Sequence, residues 1–319
     1  MMVQHKKEHA VWFTSSLFDD IRSYPQLVDN SVDKQGTDRG KPLQKVRMVH
    51  GFSTKHGGIS HLPYISDLNF GFSVGEDRET TLENYRCFAR TLGIGEDHML
   101  CANQTHTTRV LTVDGAYRGM GLSVPYENLL EFAVADEGFD GFVTSTPDVA
   151  LVVRAADCVP ILFCDAEHGV IGACHAGWRG TVGGIAAETV EAMCRIGADR
   201  RTIRAAIGHA VGLCCYEVDD GFYETFLHKL GKDVCDRIFR KSADYENPEK
   251  WHCDLRTCNC ILLENAGLAP EHIDVSEHCT CCHAELFHSH RYAMKHNGGK
   301  RGLMAACISM ETVKSTNKP

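Results

Sequence analysis

Long apolar runs are missing from this 319-residue chain. Its longest, such as Ala150–Val153 and Val159–Cys164, fall far short of the ~20 residues that a membrane-spanning helix needs, so no membrane partner is expected. An excess of positive charge is missing too: Lys+Arg 33 against Asp+Glu 42 give a formal net charge of −9. That balance argues against nucleic acid or an anionic membrane as the main partner and leaves room only for a local basic patch. The opening MMVQHKKEH is charged and no apolar stretch follows it, which predicts no secretory leader and a cytoplasmic protein. No repeat at solenoid periods and no heptad pattern occurs. There is no His-Cys-His segment, and the one His-x-His is His288–His290. A multicopper oxidase needs many paired histidines, so that reading is excluded, although a His/Cys site could still pick up adventitious copper.

What is present points elsewhere. An apolar content of 43% supports a sizeable core, and 24% charged residues is ordinary for a globular chain. Sixteen cysteines in a reducing compartment read as thiols or metal ligands rather than as a disulfide framework, and eighteen histidines add to the interest in metal. Nothing in the sequence selects an oligomeric state.

Short apolar runs alternate with amphipathic stretches. Strands are expected near Val11–Phe13, at Arg47–Ser53, Val149–Arg154, Val159–Cys164 and Gly169–Cys174, and finally at Gly302–Ser309. Leu82–Leu92 carries Leu82, Tyr85, Phe88, Ala89 and Leu92 on one helical face, with Gly93 as a stop. Thr181 is placed to cap a helix reaching about Cys194, with Gly197 just past it; Gly221–Leu230 and Leu255–Gly267 are further helices. The polar stretch Asp29–Lys45 reads as a surface loop. The mixed order of elements predicts an α+β sandwich rather than a regular βαβ series. The division expected is 1–46 as an N-terminal strand and polar loop, 47–311 as a single catalytic domain and 312–319 as a frayed tail.

Three segments place metal-capable residues at strand ends: Gln104-Thr105-His106, Ala155–Pro160 and His175–Gly180. Taken together, His106, Cys158 and His175 offer two imidazoles and one thiolate, a set suited to Zn²⁺. Three protein ligands leave a fourth position for water, whose pKa can fall to about 7 on zinc. Any one of the three alone would read as a buried core residue. Gly177 and Gly180 allow a tight turn from strand to helix, and the expected helix start near Thr181 together with Arg179 reads as an anion cradle. The bland alternative is a structural turn with Arg179 in a salt bridge. Asp157, beside Cys158, is either a catalytic acid/base or a turn residue capping its own backbone.

HGFSTKHGGIS (50–60), DLNFGFSVGED (67–77), QTH (104–106), DGFVT (140–144), AADCVP (155–160), HAGWRGT (175–181) and the CT at 279–280 occur in order. Together, over roughly residues 47–309, they resemble the YfiH-type, laccase-domain family of purine nucleoside phosphorylases. The resemblance implies a four-layer mixed α/β/β/α sandwich and a zinc held by His106, Cys158 and His175. It implies phosphorolysis of adenosine, inosine, guanosine and methylthioadenosine, deamination of adenosine, and purine nucleosides and phosphate as partners. Lys55, Asn69, Gln104 and Arg179 are the expected substrate contacts, with Asp157 and Arg179 catalytic. Three positions depart from the family pattern: Lys55 where Arg is common, His209 where Pro is common, and Phe287-His288-Ser289-His290-Arg291 in place of an FFSYR-like segment.

Two further readings compete. Cys158 and His175 could form a metal-free nucleophile–base pair of a cysteine hydrolase or deamidase. A second cysteine-rich zone, Cys253, Cys258 and Cys260 followed by His278, Cys279, Cys281, Cys282 and His283, has the numbers for a structural zinc but lacks CxxC…CxxC spacing. Buried small apolar thiols are the favoured reading there. Cys214-Cys215, being adjacent, is expected to be core and unable to place both thiolates on one metal without strain.

Overall fold

The structure, a computed structural model, describes residues 1–7, 10–18, 24–26, 44–125, 138–242 and 250–313. Most of the expected loop (29–43) and the end of the tail (314–319) lie outside the described residues.

Two mixed sheets stack face to face. The first runs in the order Met2–Lys7, Ala10–Ser15, Gln44–Ser53, Met304–Thr312, Ala150–Ala155 and Met99–Leu100, with Tyr24–Gln26 also pairing to Gln44–Ser53. The second runs Ile273–Val275, Arg204–Ile207, Val159–Asp165, Val170–Ala176, Gly141–Thr144 and Val110–Thr112. A small third sheet is built from Glu217–Val218, Trp251–Cys253 and Phe239–Lys241.

Side-chain alternation assigns the layers. In Ala150–Ala155, Leu151 and Val153 face the second sheet, while Ala150 and Val152 pack against Tyr85, Phe88, Ala89 and Leu92 of helix Arg78–Leu92. In Val159–Asp165, Leu162 and Cys164 face the first sheet, while Ile161 and Phe163 share a core with Ile185, Val190 and Met193 of helix Ile185–Arg195 and with Ile261. Both strands are therefore buried on both faces, and the order is helix, sheet, sheet, helix, the expected four-layer sandwich. Burying a Leu, Ile or Phe side chain is worth roughly 1.5–3 kcal/mol, so a one-residue slip of either central strand would be prohibitive.

The helix Arg78–Leu92 starts four residues before Leu82 because Asp77 caps it, accepting from Thr80 N, and it ends at Gly93 with φ +70°. The helix expected from Thr181 to Cys194 is in fact two, Trp178–Gly183 and Ile185–Arg195. Gly184 sits between them at φ +88°, a left-handed conformation that glycine adopts without steric cost and that interrupts the helix. Thr181 is no cap: it lies inside the first helix and its hydroxyl donates to the Ala176 carbonyl.

Candidate metal centre and its two chambers

The chain leaves the first sheet at Ala155 and enters the second at Val159, so Ala156–Cys158 is the crossover between them. Asp157 takes φ +85° there, a conformation that must be held by its surroundings. Its carboxylate accepts 2.6 Å hydrogen bonds from the Thr280 hydroxyl and the Arg291 N–H. Pinned in this way, the crossover presents Cys158 at the rim. His175 is the penultimate residue of Val170–Ala176, paired opposite Pro160, which brings it alongside Cys158. His106 comes from the loop between Met99–Leu100 and Val110–Thr112, at φ +63°.

One carboxylate organises both histidines. Asp140 Oδ1 lies 2.8 Å from His175 Nδ1, and its Oδ2 accepts from the backbone N–H groups of Thr105 and Thr107 on either side of His106. With Nδ1 of His175 engaged, its Nε2 is the free donor atom. Gly177 permits the close approach: a Cβ there would fall 2.5 Å from the His106 ring and 3.2 Å from Cys158 Sγ.

One ligand atom from each of His106, Cys158 and His175 lies within 4.8 Å of the others, and Cys158 Sγ is 3.9 Å from His106 Nε2. Two imidazoles and a thiolate at this separation fit a tetrahedral zinc-type ion with one position open. Burial pushes the Cys158 thiol up, but the positive charge on His175 and the hydrogen bond from His106 outweigh it and bring the thiol down from 9.0 to about 6. Burial pushes His175 down, but the Cys158 thiolate and Asp140 outweigh it and raise the imidazole to about 9. Each charged form thus favours the other, thiolate on Cys158 and imidazolium on His175.

The centre stands between two cavities. A chamber of about 450 Å³ is lined by Phe72, Gln104, Arg154, Arg301 and Leu303 together with all three donors. A second of about 620 Å³ shares His106, Cys158 and Arg301 and adds Asp157, Trp178, Tyr216, Arg291 and Lys295. Arg301 thus faces both, and its buried Nε has no hydrogen-bond partner.

The expected substrate contacts separate. Gln104 lines the first chamber, its amide paired with the Arg154 backbone through Nε2 to O and N to Oε1, each at 2.8 Å. Lys55 and Asn69 line neither chamber. The Lys55 ammonium donates to the Ala284 carbonyl. Asn69 is fully buried and bonds Gly71, Leu303 and Glu76. Arg179 is exposed and stacks on Trp178 at 4.2 Å, also outside the lining of both chambers, and the helix that contains it is only six residues long. The cations that line the second chamber are Arg291, Lys295 and Arg301, not Arg179. Among the residues that reading the sequence missed are Asp140 and Arg301. Asp140 opens the DGFVT motif one residue before a strand, which is the signal that could have found it; Arg301 carries none.

Cys253 and Cys258 are buried in the core beneath the second sheet, where burial pushes their thiols up. Cys214 is exposed rather than core, since the turn that carries it faces Cys282 at 3.4 Å. None of the sixteen cysteines is in a disulfide. Among the described residues no helix is long and apolar enough to cross a membrane.

Comparison with known sequences gives the family. The family model described as multi-copper polyphenol oxidoreductase laccase matches residues 49–311. The chain belongs to this laccase-domain family. Among similar proteins, purine nucleoside phosphorylase YlmD of Geobacillus stearothermophilus is 38% identical over 82% of this chain and 89% of its own length. Adenosine deaminase RL5, from an unknown prokaryotic organism, is 35% identical over 81% and 93%. The crystal structure of Bacillus licheniformis hypothetical protein YfiH superposes with a TM-score of 0.73 at 34% identity, covering 83% of this chain and 93% of that one. The laccase-domain name points to a metal, and the His106–Cys158–His175 donors are a place for one.

Proposed function

We propose that the chain is a zinc-dependent purine nucleoside enzyme that phosphorolyses adenosine, inosine, guanosine and methylthioadenosine and deaminates adenosine. The observation that carries the reading is the position of the donor set: it opens onto two chambers at once, one of them edged by three cations. The names of the similar proteins, purine nucleoside phosphorylase and adenosine deaminase, point to the same two reactions.

His106, Cys158 and His175 would hold the ion. When bound, it supplies a polarised water at neutral pH, or charge to stabilise a departing base. In phosphorolysis a phosphate oxygen bonds to the ribose anomeric carbon, the glycosidic bond breaks, and the base leaves with the electron pair and is then protonated. Arg291, Lys295 and Arg301 hold the phosphate in the second chamber, and Arg301 reaches the boundary where the sugar must sit. Gln104, Arg154 and the apolar Phe72 and Leu303 shape the first chamber around the nucleoside. In deamination a water oxygen adds at C6 of adenine and ammonia departs. Asp157 acts by holding the crossover that carries Cys158, because its carboxylate is committed to Thr280 and Arg291.

One observation favours a second reading, a cysteine hydrolase: Cys158, His175 and Asp140 make a thiolate, an imidazolium and an orienting carboxylate. That mechanism has no use for His106, which is held in a strained conformation to bring a third donor into range. The test is incubation of zinc-loaded protein with each nucleoside, with and without phosphate, and identification of products. Phosphate-dependent release of free base, with inosine formed from adenosine, is expected. No turnover, or hydrolase activity that chelators leave intact, would overturn the reading.

A further inference from the structure

Two segments far apart in sequence meet behind the crossover. Cys215 N and Tyr216 N both donate to the Gly212 carbonyl at 3.0 Å, closing a tight turn that carries Cys214 and Cys215. The segment Cys279–Cys282 runs against it, with Thr280 N donating to Ala210 O at 3.0 Å and Gly212 N donating to Cys279 Sγ at 3.2 Å. The sulfurs of Cys214, Cys215, Cys279 and Cys282 all lie within 4.8 Å of one another. Cys282 Sγ is 3.4 Å from Cys214 Sγ and 3.4 Å from Cys215 Sγ.

These distances describe a polyhedron rather than a pair. Four thiolates at about 2.3 Å from one zinc stand about 3.8 Å apart, close to the spacing observed. A cluster forming a disulfide would favour one partner for Cys282, yet it is equidistant from two. We propose that Cys214, Cys215, Cys279 and Cys282 form a second metal site, a tetrathiolate for a zinc-type divalent cation that fastens the two segments together.

The electrostatics agree. Burial and the hydrogen bonds to Cys282 and Cys279 push the Cys214 thiol up to about 12, and burial with the neighbouring sulfurs raises Cys215 as well. Four packed sulfurs cannot ionise together unless a cation shares their charge. Cys279 is the exception: against its burial, the N–H groups of Gly212, Cys282 and Cys281 hold its thiol below 9.0. Exposed Cys214 leaves a route in for the metal.

The site would also brace the catalytic crossover. Thr280, which directly follows Cys279, gives its hydroxyl to Asp157, and Val211 N donates to the Asp157 carbonyl at 3.0 Å. The proposal does not depend on the nucleoside reading, so its test uses protein in which the first centre is removed. Full-length His106→Ala/Cys158→Ala, purified under reducing conditions, should retain one zinc per chain by elemental analysis where the unaltered chain holds two. Its cobalt(II) form should show intense sulfur-to-metal charge transfer and the visible bands of a tetrahedral four-sulfur site. Adding Cys282→Ser to that variant should weaken cobalt affinity at least about 100-fold. Should the extra substitution unfold the chain, the cobalt spectrum of the double variant decides alone. A double variant that binds no zinc, a cobalt spectrum without charge transfer, or non-reducing peptide mapping that finds Cys282 fully disulfide-linked would each overturn the proposal.

Discussion

Asp140 and His175 form a fully buried carboxylate–imidazole pair, 2.8 Å between Oδ1 and Nδ1, and the other oxygen of the same carboxylate ties down the loop of His106. A single side chain therefore sets the aim of two of the three candidate metal donors. Partners of this kind are worth about 10–100-fold in metal affinity. Asp140→Asn should lose that much zinc affinity and a comparable share of turnover, while the metal-free variant stays folded. Competition with a calibrated chelator checks the first and circular dichroism of the metal-free protein the second. Unchanged affinity would mean that His175 is held by its strand alone.

On the proposed function, the cations divide the two reactions. Only phosphorolysis needs an anion beside the sugar, and a charge-assisted hydrogen bond is worth about 1.5–3 kcal/mol. Arg301→Lys, which loses the planar fork, should raise the phosphate KM about 10-fold or more and leave adenosine deamination within about twofold. Arg179→Lys should change neither, because Arg179 stacks on Trp178 outside both chambers. Steady-state kinetics with phosphate varied at saturating nucleoside separates the two variants.

Proton traffic on metal binding follows from the shifted pair. Zinc binds the deprotonated forms, so a proton still held must leave. At pH 7 Cys158, lowered to about 6, is already mostly thiolate, whereas His175, raised to about 9, still carries its proton. At least one proton should therefore be released per zinc at pH 7, from His175, and a further one as the pH falls below 6 and Cys158 protonates. Affinity should drop with increasing steepness from pH 7 to 5. Calorimetry in buffers of different ionisation heat, on protein with Cys214 and Cys282 replaced by Ser, counts these protons. Zero release at pH 7 would exclude His175 as a ligand.

The meeting of His106, Cys158 and His175 was legible because each lies in a short motif at a strand end, where local sequence and position coincide. The central strands were legible for a related reason: Val159–Asp165 is buried on both faces, so it reads as an unbroken apolar run. Arg179 misled because a Gly-rich turn with an arginine looks the same whether the guanidinium turns inward or stacks on its neighbour. Lys55 and Asn69 lie in the right motifs, but their polar atoms serve backbone groups that only the fold supplies. The thiol cluster was hidden by distance, as Cys215 and Cys282 are 67 residues apart and neither segment alone has ligand spacing for four sulfurs.

Acid should destabilise the fold through three buried histidines that line neither chamber. His50 is lowered to about 4 by burial, against a hydrogen bond from Ser15 N. His288, also lowered to about 4 by burial, bonds the Leu68 carbonyl. His209, lowered to about 3 by burial and by the charges of His278 and Arg256, packs between Phe13 and Phe287 with Nδ1 on the Ser276 hydroxyl. In each case the folded value lies below the unfolded 6.5, so the unfolded chain takes up the proton first. Their contribution is complete above pH 6.5 and is lost as the pH falls toward 4. At pH 5 each costs roughly 2 kcal/mol relative to pH 7. His209→Gln keeps a partner for Ser276 and cannot titrate, so the loss of unfolding free energy between pH 7 and 5 should shrink by about 2 kcal/mol. Urea unfolding of metal-free protein at the two pH values measures it, and an unchanged pH dependence would show that His209 is accessible to protons in the folded state.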